Sequence, residues 1–110
     1  MPVFEPDSVA LLTAAVAPGA GTAQSVRGYQ SIRLEVWGTG TFAVKFQASA
    51  AGGSGAYYDI QAMDLTTMAL TASVAAAGIF EIDVVGLSSV RVNVTAVTGG
   101  SVSAAGKLVE

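Results

Sequence analysis

The sequence predicts an all-β chain: a single-domain antiparallel β-sandwich or barrel, jelly-roll-like, with an extended N-terminal segment. Three observations carry this prediction. Apolar and polar residues alternate with a period of two over four separate stretches, Gly-bearing turns divide the chain at spacings of roughly 8–12 residues, and no convincing long helix interrupts them. The length of 110 residues suits one domain, divided here into an N-terminal arm or first strand at 1–19 and a β-sandwich domain at 20–110.

Taken in order, residues 9–16 contain Ala and Leu, which permit a helix, but eight residues make a marginal one and Pro18-Gly19 stops it, so a strand is favoured. Ile32, Leu34 and Val36 then alternate with Arg33, Glu35 and Trp37, and Phe42, Val44 and Phe46 alternate with Ala43, Lys45 and Gln47. Each stretch is a strand with one buried face. Gly38-Thr39-Gly40-Thr41 between them is the kind of link that closes a hairpin, and this is the clearest hairpin in the sequence. Ala50-Ala51-Gly52-Gly53-Ser54-Gly55 is a loop, and residues 57–63 form a further strand. Residues 65–75 are rich in Thr and Ala and remain open between strand and irregular chain.

Phe80, Ile82 and Val84 alternate with Glu81, Asp83 and Val85, and Val90, Val92 and Val94 alternate with Arg91, Asn93 and Thr95. With 86–89 as their link they form a second expected hairpin, whose outward acids face Arg91. Gly99-Gly100 turns the chain into a last strand over 101–109. Few charges or prolines blunt the edges of such sheets, so an obligate oligomer is expected to cover them.

Composition narrows the chemistry. There is no Cys and no His, which removes thiol nucleophiles, disulfides, Cys/His zinc sites, haem ligation through histidine and the Ser-His-Asp triad. Only 12% of residues are charged, against about 25% in a typical soluble domain. Two readings share that scarcity: a surface covered by copies of itself or by a larger assembly, and a neutral Ser/Thr/Ala surface of the kind extracellular sandwiches carry. A net charge of −3, with Arg27, Arg33, Lys45, Arg91 and Lys107 scattered singly, leaves no footprint for nucleic acid or for anionic lipid. The uncharged stretches 8–26 and 65–80 are poor transmembrane helices, the first broken by Pro18 and glycines, the second short and Thr-rich. The acidic start, with Glu5 and Asp7, is unlike a secretory signal.

Two carboxylate pairs, Asp59 with Asp64 and Glu81 with Asp83, are the only candidates for acid–base work, and alternating acids on a solvent face explain Glu81 and Asp83 without catalysis. No catalytic residue is assigned. No cofactor is called for, and no metal either, since the EF-hand spacing is absent. Gly52-Gly53-Ser54-Gly55 lacks the Lys-Ser/Thr that would make it a phosphate cradle, and Asn93-Val94-Thr95 is a glycosylation triplet in mid-strand. Binding falls instead to aromatics: Trp37 on the outward face of its strand, and Tyr57 or Tyr58, one of which must point away from the core. Interface with a neighbour, packing within the chain and stacking on sugar rings all remain open for them. Val9, Leu11 and Leu12 join them as interface candidates, because Pro2, Pro6 and Pro18 break regular structure around an apolar stretch that needs burial, as in an arm reaching a neighbouring subunit.

The run from Val26 to Ser49, VRGYQSIRLEVWGTGTFAVKFQAS, together with Val85-Gly86-Leu87-Ser88-Ser89-Val90-Arg91-Val92 and Gly99-Gly100-Ser101-Val102, resembles small structural proteins encoded among the virion genes of tailed bacteriophages and prophages. The resemblance spans about residues 20–106. It rests on a Gly-Tyr-x-Ser lead-in, a strand, a Gly-Thr turn, a second strand ending near a serine, and a later Gly-Leu before an Arg-bearing strand. Where that family often has an acidic and aromatic loop of the kind Asp-Gly-x-x-Trp, this chain has 51–58, AGGSGAYY. The resemblance implies a non-enzymatic virion protein, above all a decoration or auxiliary protein on the head, or else a neck or tail component. It implies a homo-oligomer, with a trimer favoured, clamping the major capsid protein or another virion protein. A small carbohydrate-binding module using Trp37 and Tyr57/Tyr58 is the alternative from another class.

Overall fold

The computed structural model describes residues 8–110, so residues 1–7 of the expected arm lie outside it. The described chain is all-β: two antiparallel six-stranded sheets pack face to face as a sandwich, not a closed barrel. Its strands are β1 (Ser8–Ala15), β2 (Gly19–Ala20), β3 (Gln24–Ser25), β4 (Ser31–Gly38), β5 (Thr41–Ala50), β6 (Tyr58–Ile60), β7 (Ala62–Asp64), β8 (Ala69–Thr71), β9 (Ser73–Val74), β10 (Gly78–Asp83), β11 (Leu87–Thr98) and β12 (Val102–Val109). The first sheet runs β1-β12-β4-β10-β7-β8. The second runs β2-β11-β5-β6, with β3 also on β11 and β9 also on β5.

The alternation predicts the buried faces. Ile32, Leu34 and Val36 of β4, Phe80 and Ile82 of β10, and Val102, Ala104 and Leu108 of β12 point inward from the first sheet, against Phe42, Val44, Phe46, Val90, Val92 and Val94 from the second. At the centre the Phe46 and Phe80 rings meet across the sandwich with centroids 5.5 Å apart and planes tilted by 50°.

Neither expected hairpin forms. β4 and β5 belong to different sheets, as do β10 and β11, so the links 38–41 and 84–86 carry the chain across the core instead of back along the same sheet. β5 pairs with β11 and β4 with β10 and β12. Alternation states only that one face of each strand is buried, and a hairpin and an arch between sheets bury those faces equally well. Packing of the corners distinguishes the two. The 38–41 corner lies beside the corner between β11 and β12, where the Thr39 N–H donates to the Ser101 carbonyl (2.8 Å) and the Ser101 N–H to Thr39 Oγ1 (3.2 Å). A side chain at Gly40 or Gly100 would overlap the facing backbone, so glycine is what lets two crossings run side by side. The same correction moves the acid partner: Glu81 pairs with Arg33 on the adjacent β4, while Arg91 sits on the other sheet.

The strand expected over 57–63 is likewise two, β6 in the second sheet and β7 in the first, with the switch at Gln61. In the open stretch 65–75, a turn leads into β8 and β9, which also fall in different sheets. The N-terminal stretch is a strand, but an irregular one. Register shifts between Ala10 and Leu12 and between Leu12 and Ala15 break the alternation, so the consecutive Leu11 and Leu12 are both buried. That strand pairs with β12 of its own chain, and the segment after it ties the sheets together through Gly21 N–H to the Val92 carbonyl (2.8 Å) and Thr22 N–H to the Leu11 carbonyl (3.0 Å).

Candidate functional site: the outer faces of the sandwich

The register sets what the first sheet shows to solvent. Outward residues line up across it as Lys107, Arg33, Glu81, Met63 and Leu70, each opposite the next, with Ala105, Glu35 and Ile79 in the adjacent row and Trp37 opposite Ser103 beyond that. The Arg33 Nε–H donates to Glu81 Oε2 at 2.9 Å, joining β4 to β10. On both sides of this ion pair the face is concave, with apolar and polar side chains mixed. A concavity of about 510 Å³ is lined by Met63, Leu65, Met68, Leu70 and Val85, with Gln30, Ser31, Gln61, Glu81 and Asp83. A second, of about 640 Å³, includes Val9, Ala10, Arg33, Glu35, Trp37, Ile79, Ala105 and Lys107. Of the seven large apolar side chains most exposed among the described residues, five line one of these two hollows: Trp37, Met68, Leu70, Ile79 and Val85.

The second sheet's outer face is of another kind. Arg91 Nε–H donates to Gln47 Oε1 (2.9 Å), Gln47 Nε2–H to Asp59 Oδ1 (2.9 Å), and Lys45 Nζ reaches Asp59 Oδ2 (3.4 Å). The Arg91 guanidinium lies 3.9 Å from the centre of the Tyr57 ring, and the Tyr57 hydroxyl shares a hydrogen bond with Ser89 Oγ (2.5 Å). The Gln47 amide, and after it the Lys45 ammonium, hold the Asp59 carboxyl below the ordinary range. On this face Arg91, Gln47, Asp59 and Lys45 are joined in one chain of hydrogen bonds.

The sequence-predicted residues therefore scatter. Trp37 is on the outer face of the first sheet as expected, 42% exposed, and half-buried Val9 lines the same hollow. Leu11 and Leu12 are buried in the chain's own core, where they offer no surface to a neighbour. Tyr57 is half-buried under Arg91 and Tyr58 is exposed, both on the second sheet's side, so no single aromatic platform joins them to Trp37. The carboxylates are also divided. Asp59 is on β6 of the second sheet and Asp64 on β7 of the first, where the Thr66 hydroxyl and backbone N–H hold its carboxyl below the ordinary range. Glu81 and Asp83 share the first sheet's outer face, with Glu81 committed to Arg33.

The groove residues Met63, Met68, Leu70 and Val85 carried little signal in the sequence. Met68 and Leu70 sit in the Thr-rich 65–75 stretch where the alternation fails and Met63 at the end of the expected 57–63 strand, while Val85 is outward by the alternation of 80–85 but has nothing in the sequence to tie it to the other three.

A family model described as XepA matches residues 5–108. Two solved structures share the fold over nearly the whole chain. The SPBc2 prophage-derived protein YomS superposes with a TM-score of 0.83 at 24% identity, over 100% of this chain and 99% of its own. The PBSX exported protein XepA gives 0.86 at 23% identity, over 92% of this chain but 36% of its own, so the chain spans little more than a third of that protein's length. At these identities the likeness establishes the fold. No curated protein sequence matches the chain.

Proposed function

The chain belongs to the XepA family, and from that premise we propose that it is a non-enzymatic, prophage-encoded structural protein that works by multivalent protein contact, docking through the outer face of its first sheet. In the most specific form of this reading it is a capsid decoration or auxiliary protein, a homo-oligomer with a trimer favoured, seated on the major capsid protein or another virion protein. The observation that carries it is the asymmetry of the two faces: one is crossed by the hydrogen-bonded chain of Arg91, Gln47 and Asp59, while the other gathers five exposed large apolar side chains around the Arg33–Glu81 ion pair. Burying such a face yields about 25 cal/mol per Å² of apolar area, and repetition around a shell multiplies a modest contact.

Sedimentation of the full chain with and without phage particles tests this. The expected result is an oligomer that pellets with particles, and weaker pelleting for Trp37→Ser and Ile79→Ser, which remove exposed apolar surface and leave the core intact. A monomer at all concentrations that stays in the supernatant rejects the reading. One relative is named as an exported protein, which favours a second reading: a prophage protein that acts away from the particle. It predicts an oligomer in the culture fluid with no particle association.

A further inference from the structure

We propose that the hollow between β7, β8 and the end of β10 is a docking groove for a peptide segment of another protein, one that carries a Lys or Arg next to apolar side chains. The proposal rests on the protein-contact reading and deepens it. At about 510 Å³ the hollow falls within the range of roughly 300–1,000 Å³ typical of ligand sites. Three of its side chains, Met68, Leu70 and Val85, are each more than 60% exposed.

Met68 is held there against its conformational preference. Its φ of 58° lies in the left-handed region, which disfavours any residue with a side chain, and its N–H donates to the Asp64 carbonyl (2.7 Å) to close the turn. Glycine or asparagine would fill that position at lower cost. The turn instead presents a long, flexible thioether over the groove, the side chain best able to adapt to varied apolar partners.

Charge selects the occupant. Among the described residues two carboxylates, Glu81 and Asp83, line the groove, and neither Lys nor Arg does. Glu81 is engaged by Arg33, but exposed Asp83 has, among the described residues, one partner, the Val85 backbone N–H, which donates to Oδ1 (3.0 Å). A cation adjacent to an apolar side chain satisfies both features. The chain's own first seven residues, with Glu5 and Asp7, carry the wrong sign.

Fluorescence anisotropy of three labelled decapeptides against the full chain tests the proposal: alternating Leu/Lys, alternating Leu/Glu and alternating Ser/Lys. Only Leu/Lys is expected to bind. Met68→Gly and Leu70→Ser are each expected to weaken it about tenfold, with the circular dichroism unchanged and the Met68→Gly melting temperature at or above the parent's. Asp83→Asn is expected to weaken it several-fold, whereas Glu35→Gln, an equal change of net charge in the other hollow, has no effect. Equal binding of Ser/Lys, indifference to Met68→Gly and Leu70→Ser, or equal effects of Asp83→Asn and Glu35→Gln overturns the proposal. So does Leu/Lys affinity that falls as the chain self-associates through the groove, which assigns the hollow to a second copy. Particle pelleting is a separate readout. Its loss with peptide binding intact counts against decoration alone, and the converse counts against the groove alone.

Discussion

Gly106 faces Leu34 across the β12–β4 pair, and a Cβ built on it would overlap the Arg33 carbonyl and crowd the Leu34 backbone. Both obstacles are main chain in a central strand, so they cannot swing aside as a side chain does. Gly106→Ala is therefore expected to destabilise the fold by about 2–3 kcal/mol, the cost of overpacking a well-packed site. A denaturant titration measures it, and a midpoint unchanged from the parent's rejects the β12–β4 register. Nothing in the sequence marks this glycine, because it occupies neither a turn nor a break in the alternation. Trp37 is the opposite case: its outward orientation follows directly from Ile32, Leu34 and Val36 facing inward, and the structure agrees. Residues whose environment is set by their own strand are legible in advance, and residues whose environment is set by a neighbouring backbone are not.

At the scale of elements, β1 shows how a bulge hides a strand. A regular strand would bury every second residue, but the register shifts flanking Leu12 turn both Leu11 and Leu12 inward, so the stretch carries no clear period. Of the two expectations for this segment, an arm or a first strand, residues 8–15 form the strand. Removing residues 1–15 takes away two buried leucines, worth about 3–6 kcal/mol together at full burial, and exposes the edge of β12. Against the roughly 5–15 kcal/mol that holds a domain folded, this loss is expected to abolish the cooperative thermal transition, seen by circular dichroism. A truncated chain that melts as sharply as the parent and has lost only its assembly would restore the arm. The glycine links also mislead at this scale. The 38–41 and 99–100 turns look like hairpin turns, yet both are corners between sheets, and what makes them so is their contact with each other.

For the molecule as a whole, the pairing of its long strands is almost entirely non-local. β1 pairs with β12 at the far end of the chain, β4 with β10 and β12, and β5 with β11, while β4 and β5, β10 and β11, and β11 and β12 lie in opposite sheets. Closing such long loops before any pairing is gained slows folding. Stopped-flow refolding is expected to give a main phase in milliseconds to seconds, and microsecond folding would contradict this topology. The same arrangement decides which surface is available. The sequence by itself determined that the chain is all-β, which residues of β4, β5, β10 and β11 turn inward, and that cysteine and histidine chemistry is absent, because these depend on residue type and on a period of two. Only the tertiary structure decided which strands share a sheet, and so that Arg33 rather than Arg91 meets Glu81, that Trp37 and the tyrosines stand on opposite faces, and that Met68, Leu70 and Val85 converge on one groove. Alternation fixes a strand's faces but is silent about its neighbours, and a shared face is a property of neighbours.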